Sequence, residues 1–136
     1  MPGSQISPAQ FEKMARYAFN KSQGTNARKS KISIMKAQHE FDIYQEGLVV
    51  GGISTSPWLN RTLKRTHNSG GQDRVTAELL WLYLCDSCKR KILILKEKDM
   101  ADGIYRRFGG NRFFAPAVEI WLFDPTSNSL THHSDL

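Results

Sequence analysis

Cys85-Asp86-Ser87-Cys88 puts two thiols three positions apart, the spacing at which thiolates supply two of the four ligands of a tetrahedral zinc site. The other two would have to come from His39, His67, His132 or His133, and a second Cys-x-x-Cys or a His-x-x-x-His is missing from the chain. The pair is therefore read as two reduced cysteines at a turn, and no metal is assigned. Oxidised, two thiols this close would staple almost nothing.

Carboxylates are the second group with chemical potential. Asp73, Glu78 and Glu97, if folding brought them together, would offer oxygen ligands to Mg²⁺ and so support hydrolysis of a phosphodiester. The order helix, three strands, helix, strand resembles the core of the PD-(D/E)xK nucleases. That resemblance implies an acidic residue on one strand and Glu-x-Lys on the next. The strand end here reads Lys96-Glu97-Lys98, with lysine where the first carboxylate belongs. Ser54-Thr55-Ser56 is similar to the Ser-Thr-Ser strand of ADP-ribosyltransferases, but the later Thr76-Ala77-Glu78 lacks that family's first acceptor. Ser56 is read as a helix cap. Gly51-Gly52, Gly70-Gly71 and Gly109-Gly110 are isolated pairs, read as turn residues and not as a phosphate-binding loop, so no cofactor is expected.

Cations carry the main functional expectation. The chain of 136 residues has a net charge of +6 and a pI near 9.5, a balance that favours polyanionic partners. Arg61, Lys64, Arg65 and Arg74 fall in a stretch where Asp73 is the one acid between Gly51 and Glu78, and Lys89-Arg90-Lys91 follow the second cysteine. These seven residues are expected to hold phosphates of a nucleic acid, with Trp58, Tyr105 and Phe113 placed to stack on unpaired bases. Arg106, Arg107 and Arg112 extend the same pattern. The reading is a non-catalytic nucleic-acid-binding protein. Its alternatives are the metal-dependent nuclease above and a protein-interaction module using a sheet edge or the Trp58 loop, with homo-oligomers formed through such an edge.

The elements that must position these groups follow from hydrophobic periodicity. Ser7-Pro8-Ala9-Gln10 has the form of a capping box, and Phe11, Met14, Ala15, Ala18 and Phe19 continue a helical stripe to Gly24. Lys31–Met35 is a candidate strand, and Glu40–Gln45 with Leu48–Ser54 reads as a hairpin. Pro57–Arg65 is read as a short helix with Leu59 and Leu63 on one side. Arg74–Cys85, apolar on alternate and intervening positions, is read as a central strand buried on both faces, paired with Lys89–Leu95 across the cysteine turn. Asp99 is expected to cap a helix over Met100–Phe108, and Val118–Phe123 to form the last strand. The whole is a single α+β domain, with an N-terminal helix and a second short helix packed on a mainly antiparallel meander sheet. A flexible loop is expected at about 66–73 and a frayed tail at about 126–136. The core is expected to include Phe11, Met14, Ile43, Val49, Leu79, Trp81, Leu93, Ile94, Ile120 and Leu122. No run approaches the ~18 apolar residues of a membrane span, and Met1–Gln5 shows no basic-then-apolar segment, so a cytoplasmic protein without a membrane partner is expected.

Overall fold

The computed structural model describes residues 6–62 and 64–136. Met1–Gln5, where the absence of a secretory signal was read, lies outside the described residues, as does Leu63.

Helix α1 spans Pro8–Gln23 and is built as its ends demand. The Ser7 hydroxyl accepts from the Gln10 N–H while the Gln10 side chain accepts from the Ser7 N–H, Pro8 opens the first turn, and Gly24 closes the helix at φ +68°. Phe11, Ala15 and Phe19, spaced by four, are its buried stripe. Strands β1 (Arg28–Ile34), β2 (Ala37–Gln45) and β3 (Val49–Ser54) follow, then helix α2 (Ser69–Leu84), β4 (Arg90–Leu95), α3 (Lys98–Phe108), β5 (Val118–Asp124) and β6 (Ser129–Asp135).

The six strands form one sheet in chain order, β1 to β6. Pairs β1–β2, β2–β3 and β5–β6 are antiparallel, while β3–β4 and β4–β5 are parallel, each crossing over through a helix. The fold is therefore α+β, with a mixed and mostly antiparallel sheet. Strand β4 is its centre: Ile92 and Ile94 pack with Phe11, Phe19 and Phe123 on the α1 face, and Leu93 and Leu95 pack with Leu79, Leu82, Met100 and Ile104 under α2 and α3. All four are fully buried, each worth about 1.5–3 kcal/mol of transfer free energy. Of the expected core, Met14, Trp81 and Leu122 are only partly buried, and the other seven residues are fully so.

Five expectations are corrected. Arg74–Cys85 is not a strand but most of α2, so the cysteines join a helix to β4 and are not a hairpin tip. Val75, Leu79 and Leu82 face the core at helical spacing, while Leu80, Tyr83 and Leu84 are exposed apolar residues that filled the gaps and imitated a two-sided strand. Asn68-Ser69-Gly70-Gly71 is the start of that helix, the Asn68 carboxamide accepting from the Gly71 N–H, and not a flexible tip. The described residues of 57–65 form no helix; Leu59 bridges His67 and the Asn60 N–H donates to the Thr66 carbonyl. Finally, the tail is strand β6, paired with β5 along its length and ending with the buried Leu136. Asp99 also does not cap α3. Glu97 is the N-cap, without a side-chain hydrogen bond, and Asp99 instead accepts from the Leu59 N–H.

No described helix is long and apolar enough to cross a membrane.

Candidate functional site

The ladder between β2 and β3 is short. It joins Ile43 to Gly51, Tyr44 to Val50 and Gln45 to Val49, and beyond Gly51 the two strands no longer pair. At the fork the Asp42 side chain replaces the missing strand partner, its Oδ2 accepting the Ile53 N–H at 2.8 Å. A bulge where β2 meets β1 sets Phe41 and Tyr44 toward α2 but Ile43 toward α1. The fork opens into a cleft of about 390 Å³. Pro8 and Glu12 of α1 border it on one side, Arg74, Val75 and Glu78 of α2 on the other. His39, Glu40 and Asp42 of β2 and the run Ile53–Ser56 complete it.

Glu78 reaches this cleft because β3 has no side chain beneath it. A Cβ built on Gly52 would lie 2.5 Å from both Cγ and Oε1 of Glu78, so the helix carboxylate fills the space a β3 side chain would take. Gly51 has the same requirement on the opposite face, where β4 approaches through Ile92. The pair is thus dictated by close packing inside a strand and does not mark a turn. Glu78 Oε2 is 2.7 Å from His39 Nε2, and the imidazole is held by stacking on Trp81 (4.5 Å, 8°) and by the edge of Phe41 (4.7 Å).

The electrostatics separate the carboxylates. Burial pushes Asp42 up to about 6, with the nearby Glu12 charge adding to the rise and the Ile53 hydrogen bond, Lys29 and Arg16 opposing it. Glu78 is likewise raised, burial outweighing the pull of His39, and Asp42 adds repulsion. Glu12 is neutralised locally by Lys29 (3.0 Å) and Arg16 (3.3 Å), and Arg16 also donates to the Asp42 carbonyl at 3.0 Å. Asp42 makes no ion pair among the described residues, and the one partner of Glu78 is His39. Arg74 is the cleft's cation, exposed and 3.4 Å from the Ser56 hydroxyl. No set of three His, Cys, Asp or Glu side chains among the described residues converges as a ready-made metal cage.

Compared with models of protein families, with curated proteins and with solved structures, this chain matches none. The chemistry must be argued from the cleft itself.

Of the three carboxylates expected to converge, only Glu78 lines the cleft. Asp73 is exposed on α2, and Glu97, at the far end of β4, is bound to Arg61 at 2.7 Å. The expected cations divide. Arg61 is shared between Glu97 and Asp99, and Arg90 grips Glu119 through two hydrogen bonds (2.9 and 2.8 Å) while lying over Phe19. Lys91 is buried, and that burial lowers its pKa. Lys64 and Arg65 are exposed in the loop before α2, and Lys89 is exposed beyond its other end. Arg74 and the Lys89–Lys91 run are therefore separated by most of α2, about 15 Å of helix, and do not share one patch. Trp58 is not free to stack on a base: it is buried against Gly103, with Arg107 4.6 Å and Arg106 5.9 Å over its ring. Cys85 and Cys88 are free and buried, and burial raises the Cys88 thiol.

Glu12 and Asp42 were missed by sequence reasoning. Phe41-Asp42-Ile43 reads as the ordinary alternation of a half-buried strand with its acid turned to solvent, and the bulge that sends Phe41 and Ile43 to opposite faces leaves no local signal.

Proposed function

We propose that the cleft at the β2–β3 fork is the active site of a divalent-cation-assisted nuclease, with Asp42 and Glu78 as its metal-side carboxylates and Arg74 as its phosphate contact. The observation that carries the proposal is Glu78 lying over Gly52 beside the fork that holds Asp42: two half-buried carboxylates, delivered by different elements, share one cleft without a cation between them. Such an arrangement costs stability through desolvation and mutual repulsion, which favours a functional reading over a structural one. The element order α1-β1-β2-β3-α2-β4 is also the one the PD-(D/E)xK resemblance requires.

The donor set fits one class of ion. Mg²⁺ is commonly held by one or two carboxylates together with substrate phosphate oxygens and water, and does not need a full protein cage. Zinc is most often held by imidazole and thiolate, and here the His39 Nε2 is engaged with Glu78 while Cys85 and Cys88 lie elsewhere. When bound, the cation supplies neutralisation of phosphate charge and a water of lowered pKa. The protein's own residues do the rest. Asp42 is ionised above about pH 6, fixed in direction by the Ile53 N–H. His39 holds Glu78 through a hydrogen bond and is itself clamped between Trp81 and Phe41. Arg74, at the cleft's edge, meets a phosphate oxygen and offsets the carboxylates' repulsion of the backbone.

The test is cleavage of plasmid DNA and of RNA with Mg²⁺ or Mn²⁺, with Asp42→Asn and Glu78→Ala as controls. Metal-dependent cleavage that both variants abolish supports the assignment. Cleavage that survives both removes the cleft from the reaction. A second reading, nucleic-acid binding without cleavage, is favoured by Gly52-Ile53-Ser54, which offers no lysine to orient a water; no lysine lines the cleft among the described residues. Salt-sensitive binding with no cleavage under any metal would select it.

A further inference from the structure

A second cavity, of about 440 Å³, lies on the other flank of α2, lined by Thr76, Leu79, Leu80 and Tyr83 of the helix and by Phe108, Asn111, Phe113 and Phe114 around the end of α3. Half of these eight residues are aromatic. Phe113 is 64% exposed and Tyr83 42%, and their rings meet edge to face at 4.6 Å, with Phe114 5.5 Å from Phe113. Leu80 adds a further exposed apolar side chain at 57%. No charged side chain lines the cavity, whereas cations flank it. Arg112 sits between Asn111 and Phe113 in the same loop and is exposed. Arg107 reaches the Gln72 carboxamide at 3.5 Å, and Gln72 is one helical turn before Thr76 on the stripe that continues to Leu79 and Tyr83. The nearest acid on α2, Asp73, is exposed one turn before Thr76 on the line that continues to Leu80, outside the cavity's lining.

We infer that this aromatic cavity holds an unpaired nucleobase, with Arg107 and Arg112 gripping the phosphates on either side of it. The inference rests on the proposed nucleic-acid substrate and narrows it to single-stranded or locally unpaired chains. Flat aromatic walls suit a base more closely than the aliphatic side chains of a protein partner, and stacking on them tolerates any base. The Asn111 carboxamide is a donor and acceptor for a base edge. The arginines supply the charge complementarity that a polyanion needs and that an apolar protein surface does not. Asp42 and Glu78 lie on the opposite flank of the same helix, so a strand with its base seated here passes over α2 toward the cleft.

The experiment measures fluorescence anisotropy of a labelled single-stranded oligonucleotide against the same oligonucleotide carrying abasic sites, in EDTA so that no cleavage intervenes. The two probes share every phosphate and differ only in their bases. Wild-type protein is expected to bind the base-bearing strand roughly 5- to 150-fold more tightly, the range of one stacked base. In Phe113→Ala and in Tyr83→Ala that ratio falls toward one, and an oligonucleotide containing 2-aminopurine loses its quenching. Equal affinity of wild type for both probes overturns the inference. So does light scattering that shows a dimer dissolved by Phe113→Ala, which would assign the cavity to a second copy of the chain. Metal-dependent cleavage without any base preference leaves the fork-cleft reading standing and removes only this one. A base preference without cleavage does the reverse.

Discussion

Exchanging the positions of one carboxylate tests the fork cleft most directly. Glu78 occupies the volume above Gly52, with Cγ and Oε1 2.5 Å and Cδ 2.8 Å from where a Cβ at position 52 would stand. A glutamate planted on β3 carries its carboxyl carbon two single bonds beyond Cβ, about 2.5 Å away. It therefore reaches the region that the Glu78 carboxylate now fills. Glu78→Ala is expected to lower metal-dependent cleavage roughly 100-fold or more, the order seen when one charge-stabilising group is removed. Gly52→Glu alone crowds two carboxylates into one site and is expected to destabilise the fold by about 1–3 kcal/mol through overpacking, with repulsion added. The double variant Gly52→Glu, Glu78→Ala removes both faults and should regain at least roughly tenfold of the lost activity, with a thermal midpoint above that of Gly52→Glu. Cleavage rates under single-turnover conditions and thermal unfolding followed by circular dichroism read the two effects separately. A double variant that folds as well as wild type but recovers nothing beyond Glu78→Ala would refute the claim that the carboxylate's location, and not its parent helix, is what matters.

Other outcomes follow from the same contacts. Asp42 is raised to about 6 in the folded state and sits near 3.8 when unfolded, so the native state binds more protons between those values and stability falls as pH rises from about 4 through 6. Asp42→Asn keeps the oxygen that accepts from Ile53, and should be more stable than wild type at pH 7 by an amount on the order of 1–3 kcal/mol, flatten that pH dependence in urea titrations, and cleave nothing. In wild type, Mg²⁺ affinity should weaken as pH falls through about 6, where Asp42 takes up a proton that competes with the cation. Arg74→Ala should reduce the dependence of nucleic-acid affinity on log salt by about one unit. Arg90→Ala should leave that slope unchanged and lower the unfolding midpoint, since its guanidinium is committed to Glu119 and Phe19. Trp58→Ala should cost about 3–5 kcal/mol in denaturant unfolding, because the ring is buried against Gly103.

How far the sequence could be read depended on whether a residue's role was local. The α1 capping box, the β2–β3 hairpin, β1, α3 and β5 all rest on signals within a few residues, and all are present. Strand β6 has almost no apolar side chains and is a strand only because β5 offers it an edge, so nothing in Ser129–Asp135 announces it. The run from Arg74 to Cys85 failed for another reason: its exposed Leu80, Tyr83 and Leu84 hide the helical period behind continuous hydrophobicity. That one misreading also concealed both sites. On a strand, Arg74 and Glu78 would share a face but stand about 13 Å apart, whereas on a helix they are one turn, about 6 Å, apart on one flank, and both reach the fork. The same exposed leucine and tyrosine then become a wall of the second cavity. The apolar excess that misled the periodicity argument is thus the physical trace of a surface kept uncovered. A helix needing only to bury one face would gain solubility from a polar residue at Leu80, and at Tyr83 would give up, of the core, only its edge contact with Phe114.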